Sequence, residues 1–468
     1  MADSPQSNNS EFRYQQYRWE LTADGLLAEF QYRIEPEFSF IHQVVFEGVT
    51  QAQLDTVPET ELNTLVFHLG LSEMASYWKL TAAHQIVIEA GSLSAGQIDW
   101  WHKLLIRGMG EYFYQNQIDF TADDFLNLQA NEPQDSPTST QRENSAEQAG
   151  PASFLKNAQL ADMHLLIPVG GGKDSALTLE LLRDLQVDSL VVNPTPAALT
   201  IAESALDRTP YVVRRVFDPL LFELNQRGFL NGHVPISSVI AFISLLSARI
   251  QGYAGVAIAN ERSSNEGTVW YKGHSINHQY SKSYEFERSL QDYVHEFLSP
   301  NTPFYFSLLR PLYELQIAQR FVKHGSAHFT SFRSCNRGQK TNSWCGECPK
   351  CLFAFTIIAP FLGVLETSKL FGKNLFADST LYPLALDLLG KTPAKPFECV
   401  GTIEETLCAF WLNVDALAGE PLPALLDQIQ TEILASEPDL PARTAAIMLG
   451  WDEHNSVPAA LLPLLTDT

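Results

Sequence analysis

The run VGGGKDS, Val169 to Ser175, joins an apolar stretch to a helical pattern, and its residue types suit an anion. Glycines let backbone N–H groups approach a phosphate closely, and a helix starting there adds the positive end of its dipole. A Walker A loop would need glycine where Ile167 stands and Ser or Thr where Asp174 stands, and the dinucleotide spacing G-x-G-x-x-G is also missing. A second constellation is Cys335 followed by Cys345, Cys348 and Cys351, the last three within WCGECPKC. Two CxxC steps sharing their middle cysteine, with a fourth thiol upstream, can surround one tetrahedral ion. Four thiolates favour structural zinc, with an Fe–S cluster as the chemical alternative. Cys399 and Cys408 read as core thiols. The third constellation is YKGHSINHQYSKSYEFE, Tyr271 to Glu287, dense in groups able to move a proton: Lys272, His274, His278, Tyr280 and Lys282. His274 and His278 head that set. At i and i+4 they would share a helical face, although Gly273 and the serines favour a polar surface loop.

Short apolar runs must position these groups. They are HLLIPV (His164 to Val169), SLVVN (Ser189 to Asn193), YVVRRVF (Tyr211 to Phe217), GVAIAN (Gly255 to Asn260) and FYFSLL (Phe304 to Leu309). Their alternation with helical patterns predicts an α/β fold with a doubly wound parallel sheet, whose ligands collect at the carboxyl ends of the strands. A helix is expected over Ala176 to Gln186. Asn260 and Glu261 close the fourth run and open NERSSNEG, a cluster suited to a metal, a substrate or a self-capped turn.

The N-terminal part carries a different rhythm. Leu26, Ala28, Phe30, Tyr32 and Ile34 share one strand parity. Phe12 and Tyr14, then Tyr17, Trp19 and Leu21, predict a preceding strand with a bulge near Gln15–Gln16. Phe38 to Val49 would extend these into a small antiparallel sheet. Ile98, Trp101, Leu104 and Leu105 recur at helical spacing behind a Ser94 cap. These features give an α+β domain over residues 1–127. Between Leu128 and Phe154 no aromatic or branched aliphatic residue occurs, so 128–155 reads as a disordered linker. Residues 156–362 form the expected catalytic domain, and 363–468 a helical, acidic region without a chemical motif.

The formal charge is −23, from 31 Lys+Arg against 54 Asp+Glu. That balance disfavours nucleic acid and anionic membrane surfaces as partners. No apolar run is long enough to span a bilayer, and Met1 to Asn9 lacks the apolar core of a signal peptide. Clustered cysteines suit a reducing, cytoplasmic setting. The acidic excess lies in the flanks, since residues 156–360 sum to +2. Within them Arg310, Lys323, Arg333, Arg337 and Lys340 could steer diphosphate groups, of a nucleotide or of a UDP-sugar.

VGGGKDS resembles the pyrophosphate-binding loop (PP-loop) of ATP pyrophosphatases, S-G-G-x-D-S. Gly171, Gly172, Asp174 and Ser175 match, while Gly170 stands where the family has serine, which removes one hydroxyl contact. The resemblance implies an adenine-nucleotide α-hydrolase fold that cleaves ATP between its α and β phosphates. ATP would bind Gly170, Gly171, Gly172, Lys173, Asp174 and Ser175, with Asn193 and Asn260 nearby and Asp174 holding Mg²⁺. The cysteine run is similar to the zinc site of 7-cyano-7-deazaguanine synthase, a carboxylate-adenylating PP-loop enzyme. VGGGKDS, NERSSNEG, NHQYSKSYEFE and CGECPKC together resemble the UDP-N-acetylmuramoyl-L-alanyl-L-glutamate epimerases of peptidoglycan synthesis. That resemblance implies ATP-dependent inversion of the terminal L-Glu of a UDP-linked muramoyl dipeptide through a carboxyl adenylate, with AMP and pyrophosphate released. His274, His278, Lys173 and Glu261 are then the candidate catalytic residues. The alternatives are another PP-loop carboxylate-adenylating synthetase or a tRNA-modifying PP-loop enzyme.

Overall fold

The computed structural model describes residues 11–133, 159–338 and 341–466. Most of the segment read as a linker lies outside the described residues, as does Lys340. Twelve strands are described: β1 (Glu11–Thr22), β2 (Gly25–Ile34), β3 (Phe38–Glu47), β4 (Gln85–Ser92), β5 (Asn127–Asn131), β6 (His164–Pro168), β7 (Gln186–Val192), β8 (Tyr211–Val216), β9 (Gly255–Ile258), β10 (Val269–Tyr271), β11 (His274–Ile276) and β12 (Phe304–Ser307). The chain folds as two compact units, neither continuous in sequence. Unit 1 takes Met1–Leu166, Tyr211–Val256 and Tyr271–Tyr305; unit 2 takes Ile167–Pro210, Ala257–Trp270 and Phe306–Thr468.

In unit 1 the strands run in the order β8-β3-β2-β1-β4-β5. β1, β2 and β3 pair antiparallel as expected, and the register of β1 shifts between Tyr14 and Gln16, where the parity slips. Leu26, Ala28, Phe30, Tyr32 and Ile34 all face the core. Two additions escaped the sequence: β4 joins β1 parallel and β5 joins β4 parallel, so Leu128 to Asn131 are strand rather than linker. The Ala95–Gly108 helix starts at Ser94, whose hydroxyl accepts from Gln97 N–H.

YVVRRVF departs from expectation. Its strand, β8, pairs antiparallel with β3, with Val44 opposite Arg215. The reason is visible in its charges, since a strand covered on both faces has no place for two adjacent arginines. Arg215 is satisfied by a two-pronged ion pair to the fully buried Glu73 (2.7 and 2.6 Å), beside which His42 also lies at 3.3 Å. Burial would raise the Glu73 carboxyl, but Arg215 and then His42 hold it down at about 2.

The remaining strands of the large sheet run in the order β12-β9-β6-β7, and β6 and β9 pair parallel. In chain order β6 precedes β7 and β9 precedes β12, so the order of addition reverses between β6 and β9. A crevice at the carboxyl ends of two such strands is where α/β sheets bind ligands. From Gly363 onward the described chain is helical. No helix among the described residues is long and apolar enough to cross a membrane.

One buried network in unit 1 is sensitive to pH. His68 Nδ1–H donates to the Thr64 carbonyl at 2.7 Å, which leaves Nε2 to accept from the Tyr293 hydroxyl at 2.9 Å. Trp101 Nε1–H and the Gln97 amide donate to the same hydroxyl, at 2.9 and 3.1 Å. Every group is used in its neutral form. Burial therefore holds His68 down at about 4, against the Thr64 hydrogen bond, which raises it. A histidine whose folded pKa lies below its unfolded one takes up a proton more readily when unfolded, so stability falls as pH drops from about 6.5 to about 4. The loss attributable to His68 is on the order of 3 kcal/mol. Urea unfolding measured across that range should show this slope, and His68→Gln should flatten it.

Candidate active site

The glycine loop follows β6 directly. Gly171 has φ +86°, and a Cβ there would stand 2.8 Å from the Ala198 amide nitrogen, so only glycine fits. The Arg333 amide donates to the Gly171 carbonyl at 2.7 Å and fixes the loop from outside. Gly172 is the N-cap of the Lys173–Leu182 helix and supplies no side-chain cap to its first turn. The helix therefore begins three residues earlier than expected and ends before Gln186, which belongs to β7. Lys173, Asp174 and Ser175 form its first turn. Around Gly170 a Cβ would meet nothing within 4 Å, so the absent serine has left open space.

Lys173 is buried and hydrogen-bonds both Asp174 and Glu314. Asp174, Glu261 and Glu314 each present a carboxylate oxygen, all within 4.8 Å of one another. Burial alone would lower the Lys173 pKa, but the two adjoining carboxylates raise it, so the ammonium stays charged. Glu314 is pushed far above the usual carboxylate value by burial, with Asp174, Glu261 and Glu405 adding to the push against Lys173. Asp174 and Glu314 pair with the one ammonium, and Glu261 stands beside them as a third acidic group. Such a surplus of negative charge is what a divalent cation neutralises, and the all-oxygen donor set fits Mg²⁺.

Asn260 and Glu261 stand after β9, both buried. Asn260 donates to the Ser307 hydroxyl at 3.2 Å, and Ser264 Oγ donates to the Glu261 carbonyl at 2.8 Å. Arg310 is fully buried and donates to the Glu261 carbonyl (2.6 Å) and Ser264 Oγ (2.7 Å). It holds this turn in place instead of standing ready for diphosphate at the surface. Asn193 follows β7 with φ +48° and is exposed.

The four clustered cysteines converge, with Sγ atoms 3.8 Å (Cys335–Cys348), 3.7 Å (Cys345–Cys351) and 3.5 Å (Cys348–Cys351) apart. A tetrahedral ion with Zn–S bonds of about 2.3 Å needs sulfurs about 3.8 Å apart, so the set could hold a metal such as zinc. Cys399 and Cys408 lie outside it.

His274 and His278 meet different surroundings. Gly273 forms a hairpin between β10 and β11, so no helix brings them together. His274 is exposed, its ring 5.4 Å from that of Phe120. His278 Nδ1 hydrogen-bonds Glu111 Oε2, and the same oxygen lies 3.5 Å from His233 Nδ1. Glu111, Glu314, Glu405 and His233 were not singled out in the sequence. Of these only Glu405 carries a local mark, as the last residue of a Thr402 capping box.

A glycine-loop α/β unit with a buried ammonium among carboxylates has the make-up of an enzyme active centre. The sequence pattern of the MurL N-terminal domain matches residues 3–308, across both the expected linker and the glycine loop, and that of the MurL C-terminal domain matches 331–433. The chain belongs to the MurL family. It is 34% identical over 362 residues to a UDP-N-acetyl-alpha-D-muramoyl-L-alanyl-L-glutamate epimerase of Salinispora tropica, covering 76% of this chain and 74% of that protein. An enzyme of the same name from Micromonospora sp. is 35% identical over 72% of each chain. Another, from Xanthomonas oryzae pv. oryzae, is 33% identical over 86% of this chain and 85% of its own. No solved structure matches.

The cysteine site gives a direct test. Freshly purified protein should contain stoichiometric zinc, read by elemental analysis. Cys348→Ser should lower the metal content and the thermal midpoint together, because structural metal binding contributes folding free energy.

Proposed function

We propose that the protein is an ATP- and Mg²⁺-dependent epimerase that inverts the terminal L-Glu of UDP-MurNAc-L-Ala-L-Glu through a carboxyl adenylate. The observation that carries this reading is the meeting of the glycine loop with Lys173, Asp174, Glu261 and Glu314 in one buried cluster. The relatives' names supply the substrate, and the strand order β7-β6-β9-β12 supports a PP-loop type of α/β fold.

The chemistry explains why ATP is needed. An α-proton beside a carboxylate leaves with difficulty, because the resulting enolate adds negative charge to an existing anion. In the proposed course the substrate carboxylate oxygen attacks the α-phosphorus of ATP and pyrophosphate departs. The acyl group is then uncharged and electron-poor, so a base of ordinary strength can take the α-proton. Its return on the other face inverts the centre, and water releases AMP. Backbone N–H groups of Gly170 to Gly172 and the Ser175 region would bind phosphate, with Asn193 and Asn260 completing the nucleotide site. Asp174, Glu261 and Glu314 would hold Mg²⁺, which offsets the charge of the triphosphate and the departing pyrophosphate. Lys173 would keep Asp174 and Glu314 close together, and His278, ahead of the exposed His274, is the candidate acid–base group.

A tRNA substrate is disfavoured by the use made of the basic segment. Arg310 and Arg320 are buried, at 0% and 4% exposure, and so offer nothing to a phosphate backbone.

Purified protein given ATP, Mg²⁺ and the UDP-linked dipeptide should yield AMP, pyrophosphate and a D-Glu product detectable after hydrolysis and chiral separation. No amine donor should be required. Asp174→Ala should lower AMP formation by at least about 10²-fold while the fold persists. A folded preparation that forms neither AMP nor D-Glu would sink the reading.

A further inference from the structure

We propose that Lys173 is the resident counter-ion of the Asp174–Glu261–Glu314 cluster and gives up that place to Mg²⁺ only when nucleotide phosphate takes its ammonium. The inference rests on the proposed ATP-dependent reading and deepens it, by stating how metal and nucleotide binding depend on each other. Every residue it uses lies in unit 2.

The cluster is assembled from three segments. Lys173 and Asp174 open the helix after the glycine loop, Glu261 follows β9, and Glu314 opens the Glu314–His324 helix. Two of these acidic residues are anchored by contacts that do not involve Lys173. The Glu314 amide donates to the Glu405 side chain, and the Glu261 carbonyl accepts from Arg310 at 2.6 Å. The backbone of both glutamates therefore keeps its place when the ammonium changes partner.

Positive charge is unevenly spread over the three carboxylates. Lys173 is 4% exposed and hydrogen-bonds Asp174 and Glu314. Glu261 is 3% exposed, and among the described residues its carboxylate accepts a single hydrogen bond, from Ser263 Oγ at 3.5 Å. A buried carboxylate with one long hydrogen bond is poorly compensated. The cluster is thus short of positive charge at Glu261, while the ammonium already holds the oxygens of the other two.

A magnesium ion needs oxygens at about 2.0–2.1 Å and gives up its water reluctantly. Binding to all three carboxylates requires Lys173 to leave, and its ammonium has no other partner among the described residues. A buried charge stripped of its partners is strongly unfavourable, so the metal alone binds weakly. Phosphate changes that balance. Lys173 is the first residue of its helix, directly after Gly170 to Gly172, whose backbone N–H groups are the proposed phosphate ligands. Its flexible stem lets the ammonium turn while the backbone stays still. A phosphate oxygen at the loop therefore offers the ammonium an anionic partner in exchange for the two it leaves. Asp174 and Glu314 remain tied, now through a shared dication. Metal and nucleotide then strengthen each other's binding by one common factor.

The test measures metal binding and needs no turnover. Mn²⁺ is the probe for the metal, and α,β-methylene ATP is the probe for the nucleotide. Mn²⁺ affinity is read by electron paramagnetic resonance on zinc-replete protein, free and carrying the analogue, corrected for Mn²⁺ held by the analogue in solution. Wild type, Lys173→Met, Lys173→Gln and Glu261→Gln are compared, with thermal unfolding as the folding control. Free wild type should bind Mn²⁺ about 10²-fold more weakly than wild type carrying the analogue. Both Lys173 variants should bind Mn²⁺ about 10²-fold more tightly than free wild type, and should keep about a tenth or less of the gain from the analogue. An ammonium that stays in place and merely repels the metal gives the same gain in wild type and variants, and that result would overturn the proposal. Glu261→Gln leaves both Lys173 ion pairs intact and should lose Mn²⁺ in either state. Unchanged Mn²⁺ binding in Glu261→Gln puts the ion elsewhere and overturns the proposal too. Lys173→Gln keeps a donor for the two carboxylates and carries the comparison if Lys173→Met does not fold. Wild type alone also decides: Mn²⁺ held as tightly by free protein as by the analogue complex sinks the exchange whatever the variants do. A folded wild type that binds neither the analogue nor its Mn²⁺ complex removes the ATP-dependent reading and this inference with it. Analogue binding with an equal gain in wild type and Lys173 variants removes the inference alone.

Discussion

The Lys173 ammonium, buried among carboxylates, is the constraint on which the arrangement of unit 2 depends. A buried charge is tolerated only with partners, and losing one of them typically costs about 3–5 kcal/mol. Asp174 comes from the same helical turn, but Glu314 comes from another helix 141 residues away in sequence. The pair therefore ties the first turn after the glycine loop to the start of the Glu314–His324 helix. That second helix is itself anchored, since the Glu314 amide donates to the Glu405 side chain. Glu405 in turn accepts from Thr402 N–H and its hydroxyl, at 2.9 and 2.8 Å. One continuous polar path thus runs from the loop into the helical C-terminal region, which gives that motif-free region a physical role in shaping the site.

A second tether approaches the loop from its other side. Arg333 and Ser334 immediately precede Cys335, the first of the clustered thiols. The Arg333 amide holds the Gly171 carbonyl, and a Cβ on Gly172 would come 3.2 Å from Ser334 Oγ. Whatever fixes the cysteine knuckle also fixes this contact. A closed four-thiolate site has no open position for chemistry. Its contribution is better understood as holding the backbone that braces the loop, so an ion there would act on phosphate binding without touching phosphate.

Local patterns in the chain were legible where one short segment determines its own structure. The parity of β2, the slip in β1, the Ser94 cap and the CxxC spacing each depend on neighbours within a few residues. The apolar run of β8 suits a buried parallel strand, but its two arginines do not, and the partner of Arg215 lies 142 residues away. β4 and β5 were not singled out, and their parallel pairing with β1 joins segments far apart in the chain. The candidate site divides in the same way. Asp174 and Glu261 flank readable strand ends, whereas Glu314, Glu111 and His233 sit in ordinary helical or loop sequence. Only tertiary packing brings them to a shared partner. The i, i+4 relation of His274 and His278 carried no weight once Gly273 made a hairpin, because that spacing has meaning on a helix alone.

The charge distribution follows from the same packing. Tyr305 to Leu352 holds seven basic and two acidic residues, which on count alone suggests a polyanion-binding face. Arg310 and Arg320 are buried, donating to the Glu261 and Leu465 carbonyls, while Arg333 reaches the Asn342 carbonyl. Much of the positive charge is therefore engaged with the protein's own carbonyl groups. A long phosphate backbone needs an extended row of exposed cations, because its binding strength grows with the number of phosphates contacted. A nucleotide needs only a few N–H groups aimed at one point. In the proposed function the glycine loop would meet that smaller requirement through its backbone N–H groups, without help from the net charge of the chain.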